Sequence, residues 1–298
     1  MTPEPFCFEV VGCGVRVLCD HAEEHELLRI SFGHLPYPTG KVHLNYRIYR
    51  IEGDLLQIER DGVLCEPQSG REELLPMFDD DLVIALQEKR SELFFLHSAV
   101  LEINGRAVLF PADSGSGKST LAWVFTQHGF RYLSDELAPI DLDSLEVHPF
   151  PRALTLKAAP PEPYPLPESA IRSGRFIHVP CDILPGKIQI SPLPVAAVFF
   201  PDYEPAGDTA ELRLISKGRA AARIYAASLN ALAHPASGLK AAASIATSVP
   251  CYELATSDLA AASGTVKRIL SSLAEFAENR SASSAEGDAS NGRPVDAV

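Results

Sequence analysis

The stretch Ala112-Asp113-Ser114-Gly115-Ser116-Gly117-Lys118-Ser119 decides how this chain reads. Before it, Arg106-Ala107-Val108-Leu109-Phe110 is a short apolar run of strand character. After it, Thr120 to His128 has helical composition and stops at Gly129, a residue suited to ending a helix. Strand, glycine-rich turn and helix is the setting in which such a run works as a phosphate-binding loop. Small residues let successive backbone N–H groups close around phosphate oxygens, and the helix start adds partial positive charge. Asp113, Ser114, Gly115, Ser116, Gly117, Lys118, Ser119 and Thr120 are the expected phosphate-binding residues. Lys118 is expected to reach the terminal phosphates and the Ser119 hydroxyl to ligate Mg²⁺. Ala112 stands where the usual motif has its first glycine.

Upstream, His97-Ser98-Ala99-Val100-Leu101-Glu102-Ile103 and the strand into the loop flank Asn104-Gly105, which predicts a hairpin with a two-residue turn. That register pairs Ile103 with Arg106 and Leu101 with Val108, and so sets His97 opposite Ala112 at the mouth of the loop. Downstream, Phe130-Arg131-Tyr132-Leu133-Ser134 reads as a strand ending in Asp135-Glu136. The unit is then βαβ, with both acidic residues at a strand's C-terminal end, the edge where α/β sheets bind ligands.

The chain has 298 residues, a net charge of −13, 46% hydrophobic and 8% aromatic content. That is enough for a substantial core, and no run of about 18 apolar residues is present to span a membrane. The N-terminus lacks a basic region followed by an apolar one, so no secretory signal is expected. The acidic balance argues against nonspecific nucleic-acid binding, which needs excess positive charge. Cys7, Cys13, Cys19, Cys65, Cys181 and Cys251 contain no C-x-x-C pair and read as reduced thiols, which fits a cytoplasmic protein.

Residues 6 to about 65 read as short strands with turns, Glu52-Gly53-Asp54 making a hairpin turn. Asp79-Asp80-Asp81 is expected to cap a helix through Leu82–Arg90. His21-Ala22-Glu23-Glu24-His25 matches the H-x-x-E-H pattern of zinc peptidases, but reads as a short polar link with little apolar flank, so no zinc site is assigned. Pro160, Pro161, Pro163, Pro165 and Pro167 exclude regular structure, and about 158 to 192 is expected as a surface excursion facing the substrate. Val195–Phe200 reads as a buried strand, and 219–232 and 239–248 as helices. Val249–Leu254 reads as a strand, and Ser257 as the cap of a last helix to about Glu278. Residues 279–298 are expected to be disordered. The expected domains are a β-rich unit over 1–92 ending in a helix, an α/β phosphate-loop domain over 93–278, and the tail.

From His97 to about Lys157 the sequence resembles the catalytic domain of the HPr kinase/phosphorylase family, and more closely its shorter HPr-kinase-related members. The residues that carry this are Leu96-His97-Ser98-Ala99-Val100, the loop from Ala112 to Ser119, and Tyr132-Leu133-Ser134-Asp135-Glu136. His148–Lys157 and Val249–Leu254 resemble the related branch. The resemblance implies an α/β fold whose phosphate loop sits in a mixed β-sheet like that of phosphoenolpyruvate carboxykinase, with ATP and Mg²⁺ as cofactors. It implies Asp135 as the general base toward a serine hydroxyl, His97 beside it and Glu136 as a second acidic residue, with Ser119, Asp135 and Glu136 around the metal. Arg152 and Lys157 are candidates for substrate or phosphate contact. The bifunctional family's downstream Glu-x-Arg-Gly-x-Gly signature is absent, so the inheritance is a kinase for an acceptor other than HPr. The first expectation is an ATP-dependent kinase acting on a serine or threonine hydroxyl of a peptide or small protein. The alternatives are a small-molecule kinase and a non-catalytic nucleotide-binding protein. Family relatives are often oligomeric, so a homo-oligomer is compatible with the resemblance.

Overall fold

A computed structural model describes residues 3–65, 70–203 and 210–289. It is a mixed α/β structure with several sheets. The first is five-stranded in chain order: β1 (Phe6–Val10), β2 (Cys13–Cys19), β3 (Val42–Arg50), β4 (Leu56–Arg60) and β5 (Val63–Leu64). Strands β2 and β3 are parallel, joined through α1 (Ala22–Phe32). The polar link expected around His21–His25 is therefore the start of a helix. Leu27, Leu28 and Phe32 bury its inner face, while Arg50 of β3 pairs with Glu23 and Glu24 on its first turn. The polar first turn hid the apolar face that follows it.

Helix α2 (Leu74–Lys89) begins well before the expected cap. Leu74, Leu75, Phe78, Leu82, Ala85 and Leu86 recur at helical spacing and are all buried, so Asp79, Asp80 and Asp81 lie inside the helix. Asp81 accepts the Tyr46 hydroxyl at 2.8 Å, and Asp79 is buried. The core of this unit also contains Leu93, Phe95, Leu137 and Phe150. A few residues beyond the boundary expected near residue 92 thus share this core, while the large sheet packs into two others.

The large sheet is built around β6 (Phe94–Ile103) and β7 (Arg106–Pro111), the expected hairpin. Ile103 pairs with Arg106 and Leu101 with Val108, and Asn104 and Gly105 take φ of 53° and 75°, as a two-residue turn of this type requires. Both strands are buried on both faces. Ala99, Leu101, Val108 and Phe110 pack on one side, Val100, Ala107 and Leu109 on the other. The sheet order is β10 (Glu146–Val147), β9 (Leu137–Ile140), β6, β7, β14 (Leu193–Tyr203), β16 (Cys251–Thr256), β15 (Ala210–Leu214), with β8 (Arg131–Ser134) also paired to β6. Strands β7, β14 and β16 run parallel, so their C-terminal ends share one edge. Helices α3 (Lys118–Gln127) and α6 (Leu259–Ala289) cover one face; α4 (Lys217–Ala226) and α5 (Leu239–Ser248) cover the other.

The proline-rich excursion contains more structure than expected. β12 (Ile171–Ser173) and β13 (Phe176–Val179) form a hairpin that joins β11 (Leu154–Leu156) in a three-stranded sheet. The last helix is capped by Asp258, whose carboxylate accepts the N–H groups of Ala260 and Ala261, and not by Ser257. It runs through Ala289, past the expected end near Glu278, so the first part of the expected disordered tail is helical; residues 290–298 lie outside the described residues. Low apolar content argues against packing, but Ala, Glu and Arg still favour helical backbone.

Candidate active site

Strand β7 ends at Pro111 and α3 begins at Lys118, with the loop between them. Gly117 is the residue before the helix and takes the left-handed conformation (φ 88°) that turns the chain into α3. Asp113 to Gly117 are exposed, and a Cβ at Gly115 or Gly117 would meet nothing within 4 Å, so open space fronts the loop. Lys118 is buried, and its ammonium donates to the carbonyls of Ala112 and Asp113, both at 2.9 Å. Burial lowers its pKa, opposed by the charges of Glu136, Asp135 and Asp113. Lys157, just after β11, approaches the Ser114 hydroxyl at 3.5 Å from above. The residues present suit a triphosphate: N–H groups at a helix start, a cation at the loop's centre, a second at its rim.

The strand expected to end at Asp135-Glu136 continues instead as β9 after a two-residue break. The Ser134 hydroxyl takes the N–H groups of Glu136 and Leu137 at 3.1 and 2.8 Å, which pulls the backbone out of line. Ser98 of β6 still donates to the Glu136 carbonyl at 3.1 Å. The break sends the two carboxylates different ways. Glu136 stays partly exposed and meets Nε2 of His97 at 3.0 Å. His97 sits one residue beyond the last rung joining β6 to β7, where the hairpin register places it. Burial would raise the Glu136 pKa, but the His97 hydrogen bond, then the charges of Arg152, His97 and Lys118, outweigh it and bring it down to about 2.

Asp135 turns inward, and its side chain has no exposure. One oxygen accepts the Tyr132 hydroxyl at 2.7 Å and lies 3.5 Å from Arg152; the other accepts the Thr155 N–H at 3.3 Å. Its oxygens are thus occupied by donors, and the general-base and metal roles expected for Asp135 meet a geometry that does not offer it to an acceptor. Glu136 is the carboxylate on the open side.

Arg152 corrects a second expectation. It is buried, not poised over a substrate. Its guanidinium lies 3.2 Å from Asp79, 3.5 Å from Asp135 and 3.6 Å from Glu136, and donates to Thr155 Oγ1 at 2.8 Å. Thr155 in turn bonds Nδ1 of His178 at 3.0 Å, and burial with the Arg152 charge brings that histidine down to about 4, so it is neutral. One guanidinium therefore serves three carboxylates, one from helix α2 and two from the break between β8 and β9.

Asp79 is the site residue that sequence reading missed, because three adjacent aspartates look like a cap. The signal was available in the apolar stripe Leu74, Leu75, Phe78, Leu82, which runs through them. Burial raises Asp79 to about 7, opposed by Arg152 and reinforced by Asp135 and Glu136. Asp79 then keeps its proton in the folded state up to about pH 7 but loses it near 4 when unfolded. Between those values the folded state binds more protons, so this group's contribution to stability falls as pH rises, by at most about 1.4 kcal/mol per pH unit. Urea midpoints at pH 4.5 to 7.5 are expected to show this downward contribution in the native chain and its loss in Asp79→Asn. Equal slopes in both would refute the assignment.

Among the described residues no cluster of three or more His, Cys, Asp or Glu side chains could hold a metal by itself. A Mg²⁺ that travels with a nucleotide needs only one or two protein oxygens. All six cysteines are free. No helix among the described residues is long and apolar enough to cross a membrane.

Comparisons with protein families and with curated proteins find no match. Among solved structures, the chain is similar to the HPr(Ser) kinase/phosphatase from Coxiella burnetii, with a TM-score of 0.33 and 9% sequence identity over 62% of this chain and 96% of that one.

Proposed function

We propose that this protein transfers the γ-phosphoryl group of ATP, with Mg²⁺, to a serine or threonine hydroxyl of a peptide or small protein. The observation that carries the reading is the Glu136–His97 pair at 3.0 Å, one strand from the loop that holds Lys118. A nucleotide-binding module without chemistry has no use for such a pair. Phosphoryl transfer requires mostly positioning and charge neutralisation, which the loop amides, Lys118, Lys157 and the metal would supply. Ser119 and Glu136 would hold the Mg²⁺, which neutralises charge on the β- and γ-phosphates. The acceptor oxygen forms a bond to the γ-phosphorus as the bond to the β,γ-bridging oxygen breaks, and ADP leaves. The acceptor's proton passes to the His97 imidazole, which Glu136 holds at 3.0 Å. Asp135 acts at one remove: with Tyr132 and Arg152 it holds the broken strand in the shape that presents Glu136.

Labelled ATP and a panel of serine-containing peptides, with free serine alongside, test the reading. Glu136→Gln is expected to lower transfer by about 10² or more while ATP binding persists. Asp135→Asn keeps the exposed carboxylate and is expected to cost stability first. If Asp135→Asn abolishes transfer at unchanged stability and Glu136→Gln does not, the base is Asp135. Transfer to free serine alone would favour the small-molecule reading.

A further inference from the structure

A cavity of about 800 Å³ opens beside the phosphate loop, on the side away from Glu136 and His97. Gly115, Ser116, Gly117 and Thr120 form the wall it shares with the loop. Leu121, Pro161, Pro163, Tyr164, Pro201 and Leu259 make it largely apolar, and its polar groups include Asp202, Thr256 and Asp258. It lies at the C-terminal edge of the parallel strands β7, β14 and β16, the edge where open α/β sheets take ligands.

The charge of this wall selects its occupant. Among the described residues none that line it is a lysine or arginine, while Glu162, Asp202 and Asp258 are acidic. Phosphates are therefore excluded and belong to the loop, where Lys118 and Lys157 stand. A neutral, flat, hydrogen-bond-donating group fits: apolar walls for a base, carboxylates for ribose hydroxyls. The wall is also anchored. Trp123 of α3 donates to the Tyr164 carbonyl at 3.1 Å, and the Tyr164 hydroxyl meets His128 at 2.7 Å, so the proline-rich segment is tied to the helix that carries the loop.

We infer that this cavity binds the nucleoside half of the nucleotide, with the base against Pro161, Tyr164 and Leu259 and the ribose hydroxyls donating to Asp202. The inference rests on the nucleotide reading above and specifies where the remainder of the molecule goes. Asp202 is exposed at the end of β14 and has no ion-pair partner among the described residues. Its carboxylate is available to two adjacent hydroxyls.

Calorimetric titration of the full chain with MgATP and with Mg-tripolyphosphate separates the two halves. Leu259→Arg is expected to weaken ATP about tenfold or more and to leave tripolyphosphate unchanged. Asp202→Asn, a surface change that leaves the core untouched, is expected to abolish the native preference for ATP over its 2′,3′-dideoxy analogue. Photolabelling with 8-azido-ATP is expected to mark peptides containing residues 159–164 or 256–260. Tripolyphosphate binding as tightly as ATP, equal losses for both ligands in Leu259→Arg, an unchanged sugar preference in Asp202→Asn, or label elsewhere would each overturn the nucleoside site and leave the phosphate loop standing. A native chain that binds neither ligand would overturn both.

Discussion

Lys118→Ala is expected to lower phosphoryl transfer by about 10³-fold and to weaken ATP and tripolyphosphate alike. The ammonium is the only lysine or arginine group that the loop itself contributes, and it is buried against its own carbonyls at 2.9 Å. An arriving phosphate offers it a full negative charge in place of two carbonyl dipoles. The swap draws the cation onto the leaving-group side of the reaction, where charge develops as the bridging bond breaks. Stability is expected to change little. The mutation removes two charge-assisted hydrogen bonds, but it also removes the cost of keeping an ammonium out of water. Lys118→Arg is not expected to rescue transfer, because a planar fork cannot replace a point charge held by two convergent carbonyls. Single-turnover transfer and calorimetric affinity check this; native ATP affinity in the alanine variant would sink the loop assignment.

Arg152→Ala is expected to be the most destabilising single change in the site, by about 3–5 kcal/mol. Replacing it strands Asp79 and Asp135 in the interior with their shared cation gone, and leaves Glu136 with His97 as its remaining direct partner. Asp79 then holds its proton more tightly still, and Asp135 is left without its cation. The cost is a property of the group, so Asp79→Ala in the Arg152→Ala background is expected to recover part of the loss. Strict additivity of the two changes in denaturant unfolding would show that the pair is not coupled. The same experiment tests the link between α2 and the strand break, because Asp79 belongs to the first and Asp135 to the second. Transfer in Arg152→Ala is expected to fall as well, through loss of the geometry that presents Glu136.

The strand, loop and helix over residues 106–127, the β6–β7 hairpin and the position of His97 were legible in the sequence because each depends on a few neighbouring residues. Asn104-Gly105 allows only certain turn geometries, and the register of the twelve flanking residues follows from it. Glycines, Lys118 and a helix start define the loop wherever the strand points. The N-terminal helices were less legible. The first turn of α1 is polar, and an aspartate run inside α2 imitates a cap, so local composition and tertiary packing disagreed and packing decided.

By itself the sequence determined the mixed α/β character, the place of the loop after a hairpin, and the presence of an acidic pair just after the next strand. Which member of that pair faces the loop was decided by tertiary structure. Asp135 is drawn inward by Tyr132, Thr155 and Arg152, residues that only the folded chain brings together, and Arg152 is held in turn by Asp79 from a helix far upstream. A buried guanidinium must find carboxylates, since no water is there to solvate it. That requirement turned an expected surface arginine into the centre of the site, and an expected base into its support.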